Sequence, residues 1–386
     1  MNTESIPTSA KNKKEIDAKK EQRGLLKYCP LVSLIFYGLF LLGLVITLIA
    51  RFSPAFADFF SRYISSVPRM LLAKLTSPLP FSLAEFMLLS MPVILISMFR
   101  HANRHATASW RDTARYCLSV FSVAALVFSI LMLNFSCGYF GTTLDQKLDI
   151  KREAVSTEDL KKTAEILLGE ANTLADEVDY RFGSFSVMPY SLSELDDKLN
   201  DAYDKVYDQY TFLSRLHAPV KPVMLSRPWT YTHIAGVYTF FTGEANINTN
   251  FPDYTLPYTV AHEMAHQRGI AREEEANFVA FLVCKESDDP YIRYSAYVSV
   301  YEYVASSLYS ASHDTYFTVL DQMDPRIRHE LIAYDEFFDE YRENAAATVT
   351  STVNNAYLQS QGQSEGVRSY GLVVDLAVAY YKSGNE

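Results

Sequence analysis

Three long apolar runs occupy the N-terminal part of the chain, and beyond residue 156 the pattern changes to apolar positions recurring at helical spacing among charges. Residues 29–50 contain no charged side chain, and a helix needs about 20 apolar residues to cross a bilayer. Residues 75–99 carry one charge, Glu85, and two prolines near their start, which places a second span over 83–99. Residues 116–144 are again uncharged, with their apolar heart at 118–133. Three transmembrane helices are therefore expected. A cleaved signal competes for the first run, since Ala55-Phe56-Ala57 offers a small-residue pattern, but the run is longer than a signal requires and the basic tail before it is long. The connection after the first span is expected to be a simple loop; Pro68 interrupts the alternative, an amphipathic helix over 59–75.

Past the spans, helical spacing predicts helices over 157–182 and 192–213. Pro219, Pro222 and Pro228 then break the pattern, with a short strand at 223–225 between them. The β-branched and aromatic run 237–241, between Gly236 and Gly243, reads as a strand. Pro257 suits the first turn of a helix ending near Arg268, and Gly269 is a natural stop. A second helix is expected from about Ala271, buried through 278–284, with further helices over 291–309, 325–343 and 366–381. The fold class is mainly α, α+β: three N-terminal transmembrane helices followed by a largely helical domain with a small sheet.

Charge adds sidedness. Residues 1–140 hold 15 Lys and Arg against 7 Asp and Glu, so of the chain totals of 35 and 45 the remainder keeps 20 and 38. Basic residues collect in short cytoplasmic segments. The tail (Lys11, Lys13, Lys14, Lys19, Lys20, Arg23, Lys27) and the second connection (Arg100, Arg104, Arg111, Arg115) belong inside on that rule. The expected division is a basic cytoplasmic tail over 1–28, a membrane domain over 29–144 and an extracytoplasmic domain over 145–386. An acidic outer domain gives no support to nucleic-acid binding, and four scattered cysteines imply no disulfide framework. Nothing in the pattern fixes an oligomeric state.

The chemistry lies at His262-Glu263-Met264-Ala265-His266, followed by Gly269 and the acidic run Glu273-Glu274-Glu275-Ala276-Asn277. Residues four apart share a helix face, so His262 and His266 can hold one metal ion with Glu263 beside it. A catalytic zinc takes three protein ligands and keeps one position open; Glu273 is the expected third, with Glu274 and Glu275 as alternatives. Asn277, one turn after Glu273, is expected to steady a ligand histidine through its side-chain oxygen. Glu244 reads as a solvated turn carboxylate, Tyr301, Tyr303 and Tyr309 as core, and His313 and His329 as ordinary histidines; His233 is a further candidate to stabilise an oxyanion.

The run from Glu273 to Asn277 after the H-E-x-x-H resembles the gluzincin type of metallopeptidase, although many gluzincins carry Asp where this chain has Asn277. Residues 262–269, with Gly243-Glu244-Ala245-Asn246, Leu256-Pro257, Tyr357-Leu358, Gly362-Gln363 and 366–371, resemble the DUF3810 family of bacterial membrane proteins. Arg368 and Tyr370 fall in that last segment and are candidate oxyanion donors. The resemblance implies a zincin-like catalytic domain with one Zn²⁺. The expectation is a membrane-anchored zinc metallopeptidase hydrolysing protein or peptide substrates outside the cytoplasm, with Glu263 as general base on zinc-bound water. The alternative is an inactive zinc-containing membrane scaffold or cell-envelope binding protein, for which Glu263 has no use.

Overall fold

The structure, a computed structural model, describes residues 29–106, 109–181, 185–342 and 344–385; the basic tail 1–28 lies outside them. Two compact units emerge. One combines Met87–Met132 with the chain up to Ile46, and the other combines Thr47–Phe86 with Leu133–Glu386. The larger unit thus takes in 47–86 and 133–144, which sequence grouped with the membrane spans.

Helices α1 (Leu31–Phe52) and α4 (Leu83–His101) flank α2 (Pro54–Phe59), a π-helical stretch (Phe60–Ser65) and α3 (Ser66–Thr76); α5 is Trp110–Asn134. Residues 31–52, 83–104 and 110–134 are long and apolar enough to cross a membrane. Within the smaller unit hydroxyls tie these helices together: Ser122 Oγ donates to Ser33 Oγ (3.0 Å), and Tyr37 OH donates to Leu118 O (2.7 Å). Outward-facing Leu41, Val93, Ile96 and Phe121 are exposed, the composition that suits contact with lipid.

The connection 53–76, expected to be a loop, is helical and belongs to the larger unit. Pro54 and Pro68 do not prevent this. Pro54 opens α2 behind Ser53, whose Oγ accepts from Phe56 N, and Pro68 is the third residue of α3, directly after the π-helical stretch. Burial of Arg69 and Ala73 fixes the inner face of α3.

The rest of the larger unit is α6 (Leu144–Lys147), α7 (Thr157–Leu174), α8 (Leu192–Gln209), α9 (Ser226–Thr230), α10 (Leu256–Gln267), α11 (Glu273–Lys285), α12 (Pro290–Ala311), α13 (His313–Leu320), α14 (Pro325–Asp339), α15 (Ala345–Ser360) and α16 (Val373–Lys382). Capping boxes start α7 (Ser156 with Asp159) and α8 (Ser191 with Glu194). Helix α7 stops earlier than its spacing predicts, because the chain turns into a hairpin of β1 (Tyr180–Arg181) and β2 (Phe185–Ser186). Buried Glu330 accepts from Ser186 N (2.8 Å) and holds that hairpin down.

A second sheet has the order β3-β5-β4, with β3 (Lys221–Pro222) parallel and β4 (Gly236–Thr239) antiparallel to β5 (Glu244–Ile247). The strand expected at 223–225 lies two residues earlier. Glu85 explains this, since its carboxylate accepts from Met224 N (2.8 Å) and Leu225 N (2.9 Å) and holds them in a turn. Glu244 is also not a solvated turn residue: it is 1% exposed in β5 and accepts from Leu83 N and Ala84 N (both 3.0 Å), capping the start of α4. Tyr309 is exposed, whereas Tyr301 is core.

Candidate metal centre

Helix α10 carries the H-E-x-x-H residues at the centre of the larger unit. Every residue from Leu256 to Gln267 except Thr259 is buried. Its position is set from several sides. Tyr258 N donates to Ser295 Oγ (3.1 Å), Tyr203 OH to Ala261 O (2.6 Å), and Gln267 Nε2 to Gly243 O (2.9 Å).

The helix ends in a Schellman turn. Gly269 takes φ +100°, its N–H bonds His266 O (2.9 Å), and Ile270 N bonds Ala265 O (3.1 Å). That turn aims Ile270 O at His266 Nδ1 (2.7 Å). A carbonyl only accepts, so Nδ1 carries the proton and donates, and in the neutral ring Nε2 is left as a lone pair.

Three residues after the turn, α11 begins at Glu273, slightly later than expected, and brings its carboxylate back over the two rings. Glu273 Oε2 stands 3.3 Å from His262 Nε2 and 3.2 Å from His266 Nε2, and the two rings are perpendicular with centroids 4.6 Å apart. All three residues are buried, and their donor atoms lie within 4.8 Å of one another. Donors bound about 2.0–2.2 Å from a tetrahedral zinc stand roughly 3.3–3.6 Å apart, close to the separations here. The donor set and the backbone carbonyl behind His266 therefore fit zinc.

Electrostatics follow from the shared burial. Burial opposes ionisation of Glu273, but the two imidazoles outweigh it and hold its carboxyl well below the usual range. For His266, burial opposes the cation, yet Glu273, Glu263 and the Ile270 carbonyl together push its pKa up to about 9. Burial raises the Glu263 carboxyl, and the histidines only partly counter it. Glu263 Oε2 has no hydrogen-bond partner among the described residues, while the Tyr238 backbone reaches the same carboxylate. A Cβ at Gly236 would sit 2.6 Å from Glu263 Cγ and 2.7 Å from Oε1. Strand β4 can pass this close only because position 236 has no side chain.

The alternative ligands are turned elsewhere. Glu275 Oε1 accepts from Leu144 N (2.9 Å) and Arg272 Nη1 (2.6 Å). Glu274 is not part of the donor cluster, and burial pushes its carboxyl up to about 7. Asn277 does not steady a ligand histidine; its Nδ2 donates to Tyr370 O (3.1 Å) because the 3-10 turn Gly366–Leu372 packs against α11. Ile270 O fills that role for His266.

Two clefts, of about 460 and 420 Å³, adjoin the cluster, and both are lined by His262, Glu263, Gly236, Thr350, Asn354 and Tyr370. The Tyr370 ring stacks on His262 (6.3 Å, 22°). Burial pushes its hydroxyl well above the ordinary value and Glu273 adds to this, so the group remains a donor, bonded to Asn354 and Glu273. Arg368 is exposed and lines neither cleft. His233 lies at the far end of one cleft with its Nε2 on Tyr341 O (2.6 Å).

A family profile for DUF3810, described as a protein of unknown function, matches residues 60–378. The chain belongs to the DUF3810 family. No curated protein and no solved structure matches it. The family match spans both the connecting helices from residue 60 and the His262–Glu273 cluster. Sequence reasoning missed Gly236, Tyr139, Tyr238, Tyr357 and Asn354 as cleft residues. Gly236 and Tyr357 stood at the edge of recognised patterns, whereas Tyr139 lies more than a hundred residues from the cluster and gave no local signal.

Proposed function

We propose that this DUF3810 member is a membrane-anchored, zinc-dependent metallopeptidase that hydrolyses peptide bonds of protein or peptide substrates, with its larger unit outside the cytoplasm. The observation that carries the reading is the buried trio His262, His266 and Glu273 with Glu263 beside it, whose Oε2 has no hydrogen-bond partner among the described residues. Bound Zn²⁺ would supply Lewis acidity, making water a better nucleophile near neutral pH and polarising a carbonyl. His262 and His266 would hold the ion through Nε2, and Glu273 through its carboxylate. Glu263, raised by burial, accepts the proton of the attacking water and returns it to the leaving amine. Tyr370 donates its hydroxyl to the oxygen on which negative charge develops. Strand β4 lies at the sheet edge and its Val237 and Tyr238 line one cleft; an extended substrate can add to that edge. The basic tail and second connection support an outer location of the larger unit under the positive-inside rule.

The test is cleavage of a mixed peptide library by the full-length protein in detergent. Wild type should cleave, and Glu263→Gln should lose about 10²–10⁴-fold in rate with the fold intact. Equal cleavage by Glu263→Gln would rule the mechanism out.

A further inference from the structure

A separate cavity of about 340 Å³ is lined in part by Arg62, Arg69, Lys147, and Gly269 and Ile270 of the turn between His266 and Glu273. The chain as a whole carries a formal charge of −10, yet this cavity is positive. Its two carboxylates are already matched. Asp58 accepts from Thr142 N (3.1 Å) and Oγ1 (2.5 Å) and pairs with Lys147 (3.3 Å), and Glu275 pairs with Arg272 (2.6 Å). Arg62 and Arg69 form no ion pair among the described residues.

Arg69 is 2% exposed. Its Nη1 donates to Asn134 O (2.8 Å) and its Nη2 to Ser61 O (3.1 Å), and the guanidinium lies against Gly269, where a Cβ would collide with it. Two carbonyl partners orient the group without neutralising its charge, and a buried cation without an anion is costly. Asn134 is the last residue of α5, so the guanidinium sits where the chain leaves its third candidate span.

We propose that this cavity binds a phosphate-type oxyanion, gripped by Arg62 and Arg69, carried either by an anionic phospholipid headgroup or by a free phosphate compound. Guanidinium is the side chain best matched to phosphate oxygens. The cavity is lined by Gly269 and Ile270 of the turn whose Ile270 carbonyl holds His266, so the anion would brace the link between two of the metal-site residues. The inference does not depend on the peptidase reading, because its test reads anion binding alone.

The test uses the full-length protein in neutral detergent. Thermal midpoints are followed against inorganic phosphate and against chloride at matched ionic strength, and native mass spectrometry reads lipid retained from phosphatidylglycerol or phosphatidylcholine nanodiscs. Arg62→Gln is the main variant, because Arg62 is only half-buried; Arg69→Lys and Arg69→Gln accompany it. Stabilisation by phosphate, weakened about tenfold or more in Arg62→Gln, assigns a free phosphate compound. Selective retention of phosphatidylglycerol, lost in Arg62→Gln, without a response to phosphate assigns the headgroup. If wild type distinguishes neither probe from its control, or if a folded Arg62→Gln binds as wild type does, the proposal is wrong. Should Arg69→Gln not fold, Arg62→Gln decides the matter alone.

Discussion

Helices α11 and α15 face the same clefts and are held there by opposite means. All residues of α11 from Glu273 to Cys284 are buried, whereas α15 buries only Leu358, and Val349 and Val353, which line a cleft, are 63% and 64% exposed. The sequences differ in the same sense. From Thr348 to Asn355, α15 consists of Thr, Val, Ser and Asn, which are weak helix formers. Residues that carry charge into the protein need a rigid, fully packed support, because their separations decide whether they can share one ion. A helix that only borders the cleft needs no such support, and α15 is packed far less deeply than α11.

Paired substitutions sharpen that contrast. Phe278→Ala on α11 removes a fully buried ring and should cost about 3–5 kcal/mol in denaturant unfolding. A loss below about 1 kcal/mol would show that α11 is less firmly packed than its burial indicates.

Next comes a charge beneath α10. Burial pushes the Asp196 carboxyl up to about 6 from an ordinary 3.8. A raised folded pKa gives stability that is complete below the unfolded value and disappears as pH rises through the folded one. Asp196→Asn should therefore be more stable than wild type by about 3 kcal/mol at neutral pH, with the advantage gone below about pH 4. A difference in melting temperature that does not change with pH would contradict this.

Gly236→Ala places a methyl against Glu263. It should lower peptide cleavage about tenfold or more by displacing the carboxylate, with metal content unchanged. Unaltered kinetics would mean that β4 yields more easily than its contacts imply. The smallest effect belongs to α15, where Val353→Ala should change stability by no more than about 0.5 kcal/mol, and amide exchange along Ala345–Ser360 should outrun that of Leu256–Gln267. Slow exchange in α15 would erase the distinction between the two helices.

The same contrast explains what could be read from sequence. His262, Glu263, His266 and Glu273 lie within twelve residues and are brought together by one helix, one glycine turn and the start of the next helix, so spacing alone was enough to gather them. The three apolar helices were legible for the same local reason. Asn277 was assigned a histidine partner because helical spacing says where a side chain points and not what a distant turn presents to it; Tyr370 O, 93 residues away, took its amide. The helical connection 53–76 was missed because its stability comes from long-range burial of Arg69 against Asn134 and Gly269. Glu244 and the strand expected at 223–225 were misjudged likewise, since Glu244 and Glu85 each cap backbone amides more than a hundred residues away.

The most direct measurement is metal content by mass spectrometry on the full-length protein, comparing wild type with Glu263→Gln, His262→Ala, His266→Ala and Glu273→Ala. About one zinc per chain in wild type and Glu263→Gln, and none in the three ligand variants, is the expected result. A folded wild type that takes up no zinc, or a His266→Ala variant that keeps it, would contradict the account.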